Sequence, residues 1–249
     1  AVLLSSLIVH YRGPVEITIL VTFVVISFNA AANAFNDYID YEVDKINRPL
    51  RPLSLGLVSR ESALFLTLIL FGIGSIAVLE LNKTAQLIAF GFALPLMIIY
   101  SWLLKGVPLV GNVVVSTILG MTFLFSGTAF ENLKAMIIPA ALAFGLTMVR
   151  ELVKDIADMD GDQSSGLKTY PVYFGLKNAV KLTLVLAAVI GIGAFIPFLT
   201  GYYGIGYGVL LILVVEIPLG VVVVSLMNNP GITVAIRSAR LLKFSTLGG

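Results

Sequence analysis

The strongest constraint on the fold of this chain is a series of apolar runs, each long enough to cross a bilayer. A membrane-spanning helix needs about 20 apolar residues to cross roughly 30 Å of hydrocarbon, whereas spanning β-strands need only about 10 alternating ones. The runs here are long and do not alternate. Of the 249 residues, 58% are hydrophobic and 12% charged, which excludes a soluble enzyme, a nucleic-acid binder and a disordered chain. We therefore predict an all-α polytopic membrane protein.

Breaks rich in Gly, Pro and charge divide the chain into about nine predicted transmembrane helices around a central cavity. They form one domain, residues 1–249, with two pseudo-repeated halves of about 1–105 and 106–249. The apolar stretch 1–10 is too short to span, so the first helix is expected to be truncated, as is the last, which starts near Thr233. The other helices are predicted at 14–41, 60–81, 84–104, 109–129, 133–159, 177–199 and 204–227.

The basic residues are distributed unevenly between the two predicted sides of the membrane. With the helices counted in this way, 13 of the 16 basic residues lie on one side, and only Arg12, Lys83 and Lys134 lie on the other. Cytoplasmic loops of membrane proteins carry an excess of Lys and Arg. The sequence therefore predicts an integral protein of the cell membrane with its basic side facing the cytoplasm.

Nine of the 14 acidic residues occur in two short windows on this basic side, and three aspartates in each window have the same spacing. On one helix, positions i, i+3 and i+7 fall within an arc of about 60°, so each window should present three carboxylates on one face. Stacked like charges repel unless a cation lies between them. Oxygen ligands favour Mg²⁺, and a chain with one His and no Cys disfavours Zn²⁺. The predicted metal ligands are Asp37, Asp40, Asp44, Asp155, Asp158 and Asp162.

Basic side chains flank both aspartate motifs. Lys45, Arg48 and Arg51 follow the first motif, while Lys154 and Lys168 flank the second. Guanidinium and ammonium groups beside a carboxylate–Mg²⁺ site are suited to a diphosphate, whose oxygens must be neutralised. The positive-inside bias alone would also place basic residues here. The sequence therefore supports a diphosphate site without excluding a purely topological origin of these charges.

The two motifs resemble the paired signatures of the UbiA superfamily of intramembrane prenyltransferases, and the resemblance covers nearly the whole chain. It implies a nine-helix fold with both motifs opening to the cytoplasm. It also implies transfer of a polyprenyl group from an allylic diphosphate to a lipophilic acceptor in the membrane. The matching segments are Asn36-Asp37-x2-Asp40-x3-Asp44-x2-Asn47-Arg48-Pro49-x-Arg51-Pro52, Tyr100-Ser101-x3-Lys105, Gly111-Asn112, Lys154-Asp155-x2-Asp158-x-Asp160-Gly161-Asp162 and Gly166-Leu167-Lys168-Thr169.

The same resemblance implies roles for individual residues. Asn36 joins the six aspartates as a metal ligand, two Mg²⁺ ions bridge the diphosphate, and the residues closest to the chemistry are Asp40, Asp44, Asp158 and Asp162. The implied substrate-binding residues are Asn33, Lys45, Arg48, Arg51, Tyr100, Lys105, Lys154 and Lys168.

Within the superfamily, the second motif and its preceding Arg150-Glu151 most resemble archaeal digeranylgeranylglyceryl phosphate synthases. That resemblance implies a geranylgeranyl donor and geranylgeranylglyceryl phosphate as acceptor, in ether-lipid synthesis. An aromatic acceptor of a quinone or chlorophyll pathway is the alternative within the family. A cation-coupled transporter is the alternative from another class, although its carboxylates would be expected near the bilayer midplane. Glu216, alone in an apolar run, is either functional or locally hydrogen-bonded.

Overall fold

The computed structural model describes residues 1–248, except for the side chains of residues 46–47 and 244–248, and this part forms twelve helices without a β-strand. The side chain of Asn47, a member of the first motif, is thus outside the described residues. In chain order the helices are α1 (Val2–Ile8), α2 (Val15–Ile39), α3 (Tyr41–Asn47), α4 (Arg60–Leu79), α5 (Lys83–Leu104), α6 (Val110–Ala129), α7 (Lys134–Ala157), α8 (Met159–Ser164), α9 (Tyr170–Phe174), α10 (Leu176–Leu199), α11 (Ile205–Asn228) and α12 (Ile232–Gly248).

Seven helices are long and apolar enough to cross a membrane, namely α2, α4, α5, α6, α7, α10 and α11. They contain 20 to 25 residues each, and their mean hydropathy lies between 1.6 and 2.8. Many of their large apolar side chains remain exposed, such as Ile19 at 63% and Ile192 at 73%, as expected for surfaces that face lipid. The chain is therefore an integral membrane protein. All seven complete helices of the sequence prediction are confirmed, with ends that differ by at most two residues.

The two terminal helices, α1 and α12, do not reach the length of a span. They have 7 and 17 residues, against about 20 needed to cross the hydrocarbon. They coincide with the two helices that the sequence predicts to be truncated. The total of nine transmembrane helices is not confirmed by the described residues and stays a prediction.

Two of the spanning helices contain wider turns of π-helix. Helix α5 includes π segments at Leu87–Ala93 and Tyr100–Leu104, and α11 includes one at Leu211–Glu216. The segments Leu87–Ala93 and Leu211–Glu216 end two residues before a proline, Pro95 and Pro218 respectively. Proline has no N–H and clashes with the carbonyl one turn earlier, so the wider turn relieves that clash without ending the helix.

The chain divides into two compact units. The first contains Ala1–Leu104 and Met121–Ala140, and the second contains Lys105–Gly120 and Ala141–Gly249. The core of the first unit packs α2 against α4 through residues such as Phe28 and Val78. In the second, Val153 of α7 belongs to a buried cluster that α10, α11 and α12 complete. Each unit carries one aspartate motif. Their origin as pseudo-repeats stays a prediction.

Candidate active site

The first aspartate motif lies at a break between two helices of the first unit. Helix α2 ends at Ile39, α3 begins at Tyr41, and Asp40 stands between them with φ −80° and ψ 3°. An α-helix needs ψ near −42°, so the chain changes direction at Asp40. The backbone N–H of Asp40 still donates to Asn36 O at 2.9 Å, and that of Asp44 to Asp40 O at 2.7 Å. The motif therefore differs from the uninterrupted helix that the spacing predicts, because it spans the ends of two helices.

The second motif repeats this backbone geometry in the second unit. Helix α7 ends at Ala157, α8 begins at Met159, and the middle aspartate Asp158 has φ −94° and ψ 3°. The N–H of Asp158 donates to Lys154 O, and that of Asp162 to Asp158 O, both at 2.9 Å. This motif too spans the ends of two helices instead of the single uninterrupted helix that the spacing predicts. The repeat thus includes the helix break as well as the residue spacing.

The outer aspartates of the first motif share one cationic partner, Arg51. Its Nη1 donates to Asp37 Oδ1 at 2.5 Å and also to Asp44 Oδ2. Because one nitrogen atom contacts both carboxylates, the two are close enough to bind a single cation. Only 7% of the surface of Asp44 is exposed. The positive charge of Arg51 therefore offsets the cost of burying this carboxylate.

Asn36 adds an oxygen atom with unmet bonding capacity to the same turn of the chain. Its Oδ1 is buried and has no hydrogen-bond partner among the described residues. An orphaned amide oxygen beside paired carboxylates fits Mg²⁺, which binds hard oxygen ligands. Within residues 1–248, no three His, Cys, Asp or Glu side chains are grouped as ligands of one ion. Mg²⁺ is usually held by one or two carboxylates together with substrate phosphates, so this donor set fits a metal that is completed by a diphosphate.

In the second unit, neutral donors orient the aspartates instead of an arginine. Asn112 of α6 donates from Nδ2 to Asp155 Oδ2 at 2.7 Å, and Thr169 Oγ1 donates to Asp162 Oδ2 at 3.0 Å. Burial raises the pKa of Asp162, and this effect outweighs the Thr169 hydrogen bond, which lowers the pKa, and the positive charge of nearby Lys154 and Lys105. A bound cation would therefore stabilise the ionised form of this carboxylate.

Two basic residues beside the second motif are held by the buried carboxylate of Glu151. Glu151 is 6% exposed, and it accepts from Arg150 Nη1 at 2.6 Å and from Lys154 Nζ at 3.4 Å. A buried acid flanked by two cations is stable because its charge is paired. The cluster of Arg150, Glu151 and Lys154 carries a net charge of +1 next to Asp155. It therefore places positive charge where a diphosphate could use it.

The remaining predicted substrate residues differ in their exposure and in their contacts. Lys45 is exposed, pairs with Glu42 at 3.1 Å and lies 4.0 Å from the centre of the Tyr41 ring. Asn33, Arg48 and Lys168 are exposed, and Tyr100 is half-buried in the second π segment of α5. Within the first unit, Arg51 contacts Asp37 and Asp44 directly, and the positive charge of Arg48 also acts on Asp37. In the second unit the structure brings the charges of Lys105 and Lys154 to Asp162.

Asn112, Glu151 and Thr169 lie in segments that resemble the UbiA superfamily, but the sequence pattern assigns them no role in the site. The structure shows that they position other site residues. Asn112 lies 43 positions before its partner Asp155, so no local spacing connects them. Thr169 is seven residues after Asp162, and the turn at Gly166, with φ 73°, brings it back. Glu151 is the one that helical spacing could have found, because it precedes Lys154 by three residues.

These features define an integral-membrane protein with two acidic motifs, each set at a helix break and flanked by basic residues. The model of the UbiA prenyltransferase family matches residues 1–235, and the chain belongs to this family. It is therefore a prenyltransferase.

Relatives and solved structures agree with this assignment. The chain is 40% identical over 189 residues to the digeranylgeranylglyceryl phosphate synthase of Thermococcus kodakarensis, which covers 76% of this chain and 68% of that one. A solved digeranylgeranylglyceryl phosphate synthase superposes with a TM-score of 0.79 at 27% identity, over 99% of this chain and 89% of that one. A UbiA homologue from Archaeoglobus fulgidus, bound to GPP and Mg²⁺, shares the fold with a TM-score of 0.70 at 18% identity, over 95% and 89%.

Proposed function

We propose that this prenyltransferase transfers a geranylgeranyl group from geranylgeranyl diphosphate to geranylgeranylglyceryl phosphate, with Mg²⁺, in archaeal ether-lipid synthesis. The observation that carries the proposal is the repeated helix break with an aspartate at its corner, once in each unit. The duplication supports two cation sites of one kind. The identity of 40% to a synthase of this name supports the choice of substrates.

The reaction breaks the bond between C1 of the allylic donor and its diphosphate oxygen, and forms a bond from C1 to the acceptor hydroxyl oxygen. The hydroxyl proton passes to the released diphosphate as that bond forms. Bound Mg²⁺ neutralises the departing diphosphate. In the first unit, Asn36, Asp37, Asp40 and Asp44 would hold this metal. Asp155, Asp158 and Asp162 would do so in the second.

The basic residues would stabilise the charge that the diphosphate gains as it departs. Arg51 offers a planar fork of N–H donors, which suits phosphate oxygens better than a point charge does. Lys154 is preorganised because Glu151 holds its ammonium group. Fixed donors of this kind lower the barrier, since they need no rearrangement when charge develops. Lys45, Arg48, Lys105, Lys168, Asn33 and Tyr100 complete the proposed substrate contacts.

The proposed acceptor carries a phosphate, and the chain supplies basic residues in excess on the motif side. Thirteen of its 16 Lys and Arg residues lie on that side of the predicted topology, which we place in the cytoplasm of the cell. The aromatic-acceptor alternative has no support among the named relatives given above, which are ether-lipid synthases. The transporter alternative is wrong, because the family is one of prenyltransferases.

An acceptor panel tests this proposal. Purified protein in lipid nanodiscs would receive labelled geranylgeranyl diphosphate, Mg²⁺ and, in turn, geranylgeranylglyceryl phosphate, 4-hydroxybenzoate or no acceptor. We expect labelled product only with the glycerol-based acceptor, and none after chelation of Mg²⁺. An Asp158→Asn variant is the matched control for contaminating activity. Prenylation of 4-hydroxybenzoate in preference to the glycerol-based acceptor would overturn the proposed substrate.

A further inference from the structure

A cavity of about 300 Å³ lies between α11 and α12 in the second unit. Its lining contains no residue of the aspartate motif. On α12 it is lined at positions 234, 237, 238 and 241, which share one helix face. On α11 it is lined at positions 221, 222, 225 and 228, which also share a face, and Asn229 lines it directly after this helix ends. The cavity is thus a gap between two helix faces that pack against each other along other residues.

The lining of this cavity is amphiphilic. Ser225, Asn228 and Asn229 line it toward the C-terminal end of α11, whereas Val221 and Val222 lie up to about two turns deeper, roughly 10 Å along the helix. Helix α12 contributes Arg237 and buried Ser238 beside the apolar Val234 and Leu241. A ligand with a polar head and an apolar stem matches this arrangement.

Arg237 provides the only charge in the lining, and the surrounding sequence offers it no counter-ion. The side chain is exposed and makes no hydrogen bond or ion pair with any described residue. Residues 217–249 contain Arg237, Arg240 and Lys243 but no Asp or Glu. A guanidinium on a helix of a membrane protein is costly unless it reaches water or an anion. An anion from the membrane is the partner that the chain itself does not supply.

We propose that this cavity binds the phosphate headgroup of an anionic membrane lipid, with Arg237 as the charged contact. Basic pockets between transmembrane helices are known to hold anionic headgroups. Hydroxyl and amide groups of Ser225, Asn228 and Ser238 donate to the remaining phosphate oxygens, and the valines accommodate the first methylene groups of the lipid. The inference rests on this cavity and not on the proposed catalytic function.

The chain offers a matched control in Arg240. It has the same charge, lies one turn further along α12, is also exposed and does not line the cavity. A general attraction between basic residues and an anionic bilayer would be weakened equally by loss of either arginine. Binding at a specific site in the cavity would be weakened only by loss of Arg237.

Lipid binding to the detergent-purified full chain tests the proposal, by native mass spectrometry over a titration with phosphatidylglycerol or phosphatidylcholine. We expect phosphatidylglycerol to bind at least tenfold more tightly than phosphatidylcholine. Arg237→Gln should weaken phosphatidylglycerol binding about tenfold, which is the scale of one charge-assisted hydrogen bond. Arg240→Gln should change it less than twofold. A second variant, Ser225→Leu, keeps Arg237 but fills the cavity and should weaken binding similarly.

Three outcomes would overturn the proposal. Equal losses in Arg237→Gln and Arg240→Gln would show a general attraction between the lipid and the basic surface. Equal binding of the two lipids would show that the net negative charge of the headgroup is not recognised. Displacement of lipid by millimolar inorganic phosphate, with the same Arg237 dependence, would identify a site for free phosphate rather than for lipid. Because binding is measured without turnover, failure here leaves the proposed function untouched, and the reverse also holds.

Discussion

The two aspartate motifs share a backbone but differ in how their carboxylates are stabilised. In both, the middle aspartate stands at a helix break with ψ near 3°. In the first motif a guanidinium neutralises Asp37 and Asp44. In the second, the neutral side chains of Asn112 and Thr169 orient Asp155 and Asp162, while Glu151 holds the nearby cations. The two proposed cation sites therefore have the same backbone geometry, whereas the charged and neutral groups around them differ.

The largest effect is expected at the shared element, the middle aspartates. Asp40→Asn and Asp158→Asn keep a residue that suits the start of a helix, so the break should persist. Each removes a proposed metal ligand, and we expect prenyl transfer to fall by about 10²–10³-fold, on the scale of losing one preorganised catalytic group. Initial rates with saturating Mg²⁺ would measure this. Thermal unfolding should match wild type, and a rate within threefold of wild type in either variant would contradict the shared role.

The next effect concerns the first motif, in which Arg51 contacts both outer aspartates. Arg51→Gln leaves Asp37 and Asp44 without their partner and removes a proposed diphosphate contact. We expect the KM for the donor to rise about 10- to 100-fold, and Arg51→Lys to recover only part of this because an ammonium lacks the planar fork. Steady-state kinetics over a donor titration would measure it. Full recovery by lysine would show that charge alone matters.

A smaller effect is expected from the neutral donors of the second motif. Asn112→Ala removes the hydrogen bond to Asp155, worth about 1 kcal/mol or somewhat more for a charged acceptor, so activity should fall about tenfold. Asn112→Asp should be worse than alanine, because it places a second negative charge against Asp155. The exposed Asn178, whose Nδ2 donates to the Phe174 carbonyl at 2.8 Å, gives a control in Asn178→Ala. If the alanine and aspartate variants at position 112 are equally active, Asn112 does not act through the Asp155 carboxylate.

The smallest effect concerns the stability of the metal-free protein. Burial raises the pKa of Asp162, so the folded state binds its proton more tightly than the unfolded state does. Folding is then favoured below the ordinary carboxyl pKa and loses stability as pH rises through the raised value. We therefore expect Asp162→Asn to raise the melting temperature of chelator-treated protein at neutral pH and to flatten its pH dependence. The exposed Asp160→Asn is the control. An unchanged melting temperature in Asp162→Asn would contradict the desolvation of this carboxylate.

The membrane helices could be predicted closely from sequence because hydrophobicity and breakers act locally. Apolar runs bounded by Gly, Pro and charge located all seven spans to within two residues. The break at Asp40 could not be predicted in this way, because the spacing i, i+3, i+7 fits a continuous helix equally well. The change in chain direction depends on the ψ angle of one residue. The hydrogen bonds from the N–H of residue i+4 to the carbonyl of residue i continue on both sides of it.

The side chains around the aspartates were only partly predictable. Arg51 was expected near the first motif, and the contact to Asp37 spans just 14 residues of chain. Asn112 meets Asp155 only because α6 packs against α7 within the second unit. The motif sequences therefore identify the aspartates. The groups that orient their carboxylates are brought in by tertiary packing, which local spacing does not predict.

The proposed function requires the aspartates of each motif for Mg²⁺-dependent binding of the diphosphate donor. Isothermal titration with a non-hydrolysable geranylgeranyl thiolodiphosphate, without acceptor, tests it most directly. We expect binding to wild type only with Mg²⁺, and a loss of about 100-fold or more in both Asp44→Asn and Asp162→Asn, as for removal of a buried, paired charge. Donor binding that is unaffected by chelation, or that survives at wild-type strength in either variant, would contradict the account.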